Sequence, residues 1–292
     1  MVGKSGSGKT TLMKCIYGLE DVEGGEVRIN DELVTGPSCN LIPGNENMSL
    51  VSQDFYVLDN HTVQENITDK LIGQSDEDKS KRANQLLKLL ELTALRNTKA
   101  RFLSSGQKQR VAIARALAII PEVLLLDEPF SNLDKLLTDK LFSFVIKEVK
   151  RNRTAVILIT HVSDEALKYA DRIGIVDEGK IIQIGEKWKV YYQPNNTKLA
   201  GLLGEYNVVK KEDFEKGSQI KLKSKIILRP DKISLTLSKT ALKIPLSISD
   251  CTFNGKCFEV LAETKSGNSV MFYSSKEVAR DKDVMGYVTA LK

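Results

Sequence analysis

Two rhythms of apolar and polar residues alternate along this chain. Short, nearly unbroken apolar runs, MSLV at 48–51, VLLL at 123–126 and AVILI at 155–159, each give way to polar residues, closing on Gln53, on Asp127 and Glu128, and on His161. Stretches with helical spacing lie between them: the residues after Thr10, the span 62–92 with Leu86, Leu87, Leu89, Leu90 and Leu92 on one face, the span 103–120 stopped by Pro121, and 134–150. An unbroken run describes a strand covered on both faces, and such strands alternating with helices describe a parallel α/β sheet. Two hairpins are also predicted. Val27 and Ile29 alternate before a turn at Asn30 and Asp31, and a second turn falls at 177–180. Residues 35–47, rich in Pro, Gly and Asn, read as a loop.

The rhythm changes beyond residue 185. Residues 186–218 predict a helical or irregular connector broken at Pro194, Asn195 and Asn196. From 219 to 292 the pattern is one of short strands, KLKSKIIL, ISLTL, LKIPLSI, FEVLAE and SVMFY, separated by turn residues. That spacing predicts a small β-barrel or sandwich. The expected order is an α/β domain over 1–185, the connector, and an all-β domain over 219–292.

Composition adds limits. A chain of 292 residues, 41% hydrophobic and 28% charged, has the material for two globular domains. Its formal charge is +5, with basic residues in excess beyond about residue 210; a solvated lysine-rich surface is the favoured reading over a basic binding face. Cys15, Cys39, Cys251 and Cys257 have no metal-ligand spacing and fit a reduced cytosolic setting. No apolar run approaches the roughly 18 residues needed to span a bilayer, so dealings with a membrane are expected to go through partners.

The chemistry concentrates at 3–11. Gly3, Lys4, Ser5, Gly6, Ser7, Gly8, Lys9, Thr10 and Thr11 match the phosphate-binding pattern G-x-x-x-x-G-K-[ST] at every fixed position. The glycines let successive backbone N–H groups turn toward phosphate oxygens, Lys9 reaches the β- and γ-phosphates, and the Thr10 hydroxyl is a ligand for Mg²⁺. The run ending in Asp127 and Glu128 delivers one carboxylate to that cation and a second that can take a proton from an attacking water or orient it.

With these two elements in place, the sequence resembles the ATP-binding-cassette (ABC) ATPases, a group of P-loop NTPases with an added helical subdomain. Leu103, Ser104, Ser105, Gly106 and Gln107 are similar to the family's LSGGQ signature, Gln53 to its Q-loop glutamine, 131–134 with Asp134 to its D-loop, and His161 to its switch histidine. His61 has no place in that series. The resemblance spans about 1–185 and implies that two such domains pair head to tail, with Ser104, Ser105, Gly106 and Gln107 facing the γ-phosphate held on the partner copy. It implies ATP and Mg²⁺ as cofactors, Gln53, Asp127 and Thr10 around the metal, and Glu128, His161 and Gln53 in catalysis. Ser105 stands where the family usually has glycine, and its Cβ is expected to crowd the approach.

The C-terminal region also resembles a known part. IILRPDKISL with Arg229, Pro230 and Asp231, and GEKWKVYYQPNN before it, are similar to the connector and the small OB-like (TOBE) domain of importer ATPases. That domain is expected either to brace a dimer or to regulate. The resemblance implies transmembrane permease subunits as partners, a solute-binding protein acting indirectly, no nucleic acid, and a cytoplasmic site on the inner face of the membrane. The resemblance permits iron(III), a polyamine, a sugar or an inorganic anion as cargo, with iron(III) or a polyamine preferred. A soluble ABC protein of DNA repair or translation, and a non-hydrolysing regulatory subunit, remain as alternatives.

A P-loop ordinarily follows a buried strand, yet only Met1 and Val2 precede Gly3. A strand and an adenine-stacking aromatic residue are expected ahead of it. Either Met1 is internal to a longer protein or the chain is a truncated relative; intact Lys9, Glu128 and His161 favour the first.

Overall fold

The computed structural model describes residues 1–119, 121–131, 133–215, 224–237 and 241–289. Asn132 of the expected D-loop, residues 221–223 of the first expected β-domain strand and the expected boundary at 218/219 lie outside them. The chain divides into two compact units: Met1–Tyr169 with Val176–Ile182, and Ala170–Ile175 with Gln183–Lys292.

The first unit opens with α1 (Lys9–Tyr17), the hairpin β1 (Val27–Ile29) and β2 (Glu32–Val34), and β3 (Met48–Val51). Asn30 and Asp31 both take positive φ, 47° and 67°, which is what a two-residue hairpin turn asks of its centre. Next come α2 (Val63–Thr68) and α3 (Asp76–Leu89). The single helical span expected over 62–92 is therefore two helices. Gly73, at φ 80°, breaks the run, and Ser75 caps α3 through a bond from the Asp78 N–H. Then follow α4 (Ser105–Ala118), β4 (Val123–Asp127), α5 (Lys135–Asn152), β5 (Ala155–Ile159) and α6 (Ser163–Tyr169); β6 (Arg172–Asp177) and β7 (Lys180–Glu186) are each divided between the two units.

Strands β3, β4 and β5 form a parallel sheet in that order. The unbroken run of β4 has a direct cause: it is central and both its faces are covered. Leu124 and Leu126 pack with the helices that bury Ile67, Leu86, Leu87 and Phe142, while Leu125 packs on the other side with Met13, Ile29 and Val34. Each such leucine contributes about 1.5–3 kcal/mol. Strand β5 departs from expectation. Its apolar run suggests full burial, but Ala155 and Val156 are exposed, because β5 is an edge strand of this sheet. Only its far end is covered, where the Met1 amine donates to Leu158 O and the Thr160 N–H donates to Met1 O. The Val176 N–H in turn donates to Val2 O at 2.8 Å. Burial, with Lys9 adding, lowers the Met1 amine to a pKa of about 6.

The second unit contains α7 (Lys187–Tyr192), α8 (Thr197–Leu202), β8 (Asn207–Lys210), β9 (Lys225–Leu228), β10 (Ile233–Ser234), β11 (Leu242–Phe253), β12 (Phe258–Thr264), β13 (Ser269–Ser274) and β14 (Asp283–Val288). An antiparallel sheet runs β10-β14-β11-β12-β13, and β8 pairs with β9. The stretch expected as a helical or irregular connector thus holds a strand. The Asn207 side chain, buried, stands in for backbone by bonding both the N–H and the C=O of Met271, each at 2.7 Å. Of ISLTL only Ile233 and Ser234 pair, and the expected strands did not include β14.

Two buried charges organise this unit. The Arg229 guanidinium, 2% exposed, lies against Tyr191 and donates to the carbonyls of Tyr191, Ala200, Gly204 and Glu205 at 2.9–3.0 Å. The Asp213 carboxylate accepts from the N–H groups of Lys210 (2.7 Å) and Ser266 (3.2 Å) and from the Asn268 amide (3.2 Å).

All four cysteines are free. Among the described residues no helix is long and apolar enough to cross a membrane.

Candidate functional site

The loop at 3–11 carries the chain from Met1 and Val2 into α1. A Cβ on Gly3 would lie 2.2 Å from Val176 O, so no larger residue fits there. Gly8, at φ 94°, is the N-cap of α1, and no side chain caps the helix. The first N–H groups of α1 are thereby left to an outside acceptor, at the positive end of the helix dipole. Lys9 is 6% exposed and folds into the loop, its Nζ donating to Gly3 O (2.9 Å), Lys4 O (2.8 Å) and Ser7 Oγ (3.3 Å). Lys4, Ser5 and Gly6 stand exposed on the loop, as does Thr11, while Thr10 is half-buried.

The parallel register lines up the ends of the three strands. Val51 pairs with Leu126, and Asp127 with Ile159. Gln53, the acids Asp127 and Glu128, and His161 consequently leave the sheet along one edge, the carboxyl edge, where open α/β sheets bind their ligands. Asp127 is 3% exposed and its Oδ1 has no partner among the described residues. Burial raises its pKa, and the charge of Glu128 adds to this, while a hydrogen bond with Thr10 and the charges of Lys9 and Lys14 oppose it. A buried carboxylate with an unmet lone pair, bonded to the hydroxyl of the phosphate loop, suits a hard cation.

Glu128 Oε2 lies 3.0 Å from His161 Nδ1. A carboxylate only accepts, so the imidazole carries its proton on Nδ1. The turn that follows β5 is pinned by Thr160, whose hydroxyl donates to Glu165 and accepts from the Val162 N–H. Glu128 itself sits at φ 48°, with its N–H on Ile159 O at 3.0 Å and its carbonyl accepting from the Ser131 hydroxyl at 3.2 Å. Gln53 lies exposed in the turn after β3.

Ser104 is the N-cap of α4 and forms a reciprocal capping box with Gln107: the Gln107 N–H donates to Ser104 Oγ at 3.3 Å, and the Ser104 N–H to Gln107 Oε1 at 2.9 Å. Ser104 and Ser105 are exposed, and a Cβ on Gly106 would meet nothing within 4 Å. Gly106 is therefore not demanded by packing inside this chain. Asp134 caps α5 through the Leu137 N–H at 2.9 Å. The carboxyl edge collects the phosphate loop, Asp127, Glu128 and His161; residues 104–107 and Asp134 stand at helix starts, where Ser104 with Gln107, and Asp134, cap their own helices. Sequence reasoning overlooked Gln109, buried in α4, whose amide donates to Pro129 O at 2.7 Å. A glutamine in a helix gives no signal of such a bond.

The arrangement offers an anion cradle, an unmet carboxylate for a cation and a paired carboxylate that can handle a proton. Those are the components of phosphoryl transfer to water. Comparison with known proteins points the same way. The family model for the ABC transporter matches residues 1–131. The chain is 33% identical over 282 residues to the Fe(3+) ions import ATP-binding protein FbpC 2 of Haemophilus influenzae, covering 90% of this chain and 79% of that one. It is 39% identical over 217 residues to the spermidine/putrescine import ATP-binding protein PotA of Thermotoga maritima, covering 74% of this chain and 58% of that one. Among solved structures it is similar to a dimeric, post-hydrolysis ATP-binding cassette bound to ADP and Pi, with a TM-score of 0.56, 29% identity, and coverage of 64% of this chain and 83% of that chain.

Proposed function

The chain belongs to the importer-type ATP-binding proteins of the ABC transporter family, and from that premise we propose how its residues divide the work. It is an ATPase that binds ATP and powers import. The backbone amides of 3–11 and the Lys9 ammonium hold the β- and γ-phosphates. Thr10 and Asp127 would hold Mg²⁺, a role that the unmet Oδ1 of Asp127 supports; when bound, the ion offsets negative charge on the phosphates. Glu128 accepts a hydrogen bond from the attacking water and takes its proton as the new O–P bond forms and ADP departs. His161, through Nδ1–H on Oε2, keeps that carboxylate aimed. The Glu128–His161 contact at the sheet edge, beside Asp127, is the observation that carries this reading.

Ser104, Ser105, Gly106 and Gln107 face the γ-phosphate of a second copy, paired head to tail, and the exposure of Ser104 and Ser105 with the open space beside Gly106 supports a close approach there. Asp134 lies at the same seam. Gln53 reads the state of the water and cation and passes it to transmembrane permease subunits, with the protein seated peripherally on the inner face of the membrane. A solute-binding protein acts further upstream, and no nucleic acid takes part. Residues 1–185 form the ATPase domain, 186–218 the connector and 219–292 the OB-like domain. The cargo is iron(III) or a polyamine, which the printed functions of the relatives from Haemophilus influenzae and Thermotoga maritima support.

The test is ATP turnover with gel filtration. Glu128→Gln is expected to bind ATP, lose turnover and elute as a dimer in ATP. Turnover at the parent rate would overturn the assignment.

A further inference from the structure

Gln109, the fifth residue of α4, is 0% exposed. Its Nε2 donates to Pro129 O at 2.7 Å, and its Oε1 has no partner among the described residues. A buried primary amide with an unmet acceptor is less stable than an apolar side chain of the same size, and α4 is apolar at most other buried positions, from Val111 to Ala118. The retained amide therefore points to what its donor holds.

That donor holds the carbonyl of Pro129, the residue that follows Glu128. At φ 48°, Glu128 occupies the left-handed region, which residues with a Cβ seldom adopt and which persists only where the surroundings over-determine it. One constraint comes from β5, through Ile159 O, and one from the turn itself, through the Ser131 hydroxyl. The third reaches across from α4, the helix whose N-terminus is built by Ser104 and Gln107. Gln109 lies five positions after the cap at Ser104, so a displacement of the helix start is carried along a rigid rod to the Pro129 carbonyl.

We propose that Gln109 is a positioning residue for Glu128: it fixes the backbone elbow that aims the carboxylate and makes that aim depend on where α4 sits. This rests on the reading in which Glu128 activates the attacking water. A displaced carboxylate slows the chemical step and leaves nucleotide binding at 3–11 untouched.

Two variants of the full chain test it. Gln109→Met keeps the length of the side chain and removes the donor. It is expected to lower kcat on the order of 10- to 100-fold, with KM for ATP unchanged and the melting temperature within a few degrees of the parent. Gln109→Glu restores a donor only when its carboxyl is protonated, which burial favours. Its kcat is expected to recover as pH falls from about 8 to about 6, against the profile of the parent, a behaviour that a merely structural contact does not produce. A Gln109→Met protein with the parent kcat, or one that does not fold, or a Gln109→Glu profile superimposable on the parent's, overturns the proposal. Glu128→Gln in the same assay separates the two levels. If it still turns over, the reading of Glu128 has failed; if it is inactive while Gln109→Met turns over at the parent rate, only the role of Gln109 has failed.

Discussion

Glu128 and His161 lie 33 residues apart in sequence and 3.0 Å apart in space, Oε2 to Nδ1. Neither belongs to a regular element: each leaves the end of its strand, and the pairing of Asp127 with Ile159 brings the two ends level. His161→Ala is expected to lower kcat on the order of 100-fold with little change in ATP affinity. If the two side chains act as one unit, adding His161→Ala to Glu128→Gln should cost nothing further. Additive losses in a double-mutant cycle would separate them.

Two glycines of the site predict opposite outcomes. Gly3→Ala places a methyl 2.2 Å from Val176 O, where backbone has to move, so a marked drop in melting temperature and loss of nucleotide binding are expected. Gly106→Ala meets no atom within 4 Å and should leave both unchanged. If 104–107 serve the nucleotide of a second copy, Gly106→Ala nonetheless lowers turnover, most clearly at protein concentrations where dimers form. Calorimetry paired with a concentration series of ATPase rates distinguishes the two.

Asp127 works at the expense of stability. Its folded pKa lies above the unfolded value, so the ionised carboxylate destabilises the fold, and stability falls as pH rises through the folded pKa. Asp127→Asn removes that charge. Near pH 7 it is expected to melt a few degrees higher than the parent while losing turnover. A lower melting temperature would contradict the direction of the shift.

Asp213 is the reverse case. Burial pushes its pKa up, but hydrogen bonds from Ser266, Lys210, Thr264 and Asn268 prevail and hold it below the usual carboxylate range. With the folded pKa depressed, its contribution is complete above the unfolded value and is lost as pH falls through the folded one, which places the loss below about pH 4. Asp213→Asn should cost about 1–3 kcal/mol near neutral pH. Urea melts at several pH values should also show the variant with a weaker acid dependence than the parent.

Legibility followed the range of the interactions. The turn at Asn30 and Asp31 and the capping pair Ser104 and Gln107 are set by neighbours a few residues away, and the burial of β4 is spelled in its own unbroken apolar run; each is plain in the sequence. The division of 62–92 was also legible, since Gly73 is followed by Ser75 with Asp78 three residues on, a cap signal that a continuous leucine face obscures. Strand β8 was not, because four residues, NVVK, become a strand through pairing with β9 and through Asn207 reaching Met271, 64 positions away. The exposure of β5 depends on its neighbours in the sheet, which its apolar run does not specify. Among the site residues, the glycines, Lys9 and Glu128 have fixed spacings, whereas Gln109 acts through a bond visible only once α4 and the end of β4 are side by side.

Arg229 has a consequence in time. Helices α7 and α8 have six residues each, too few to hold helical form unaided. The carbonyls that end and follow them are gathered by a guanidinium 24 to 38 positions later in the chain. During synthesis this stretch therefore leaves the ribosome before the residue that secures it, and stays unset until Arg229 emerges and the strand β9 beside it finds β8.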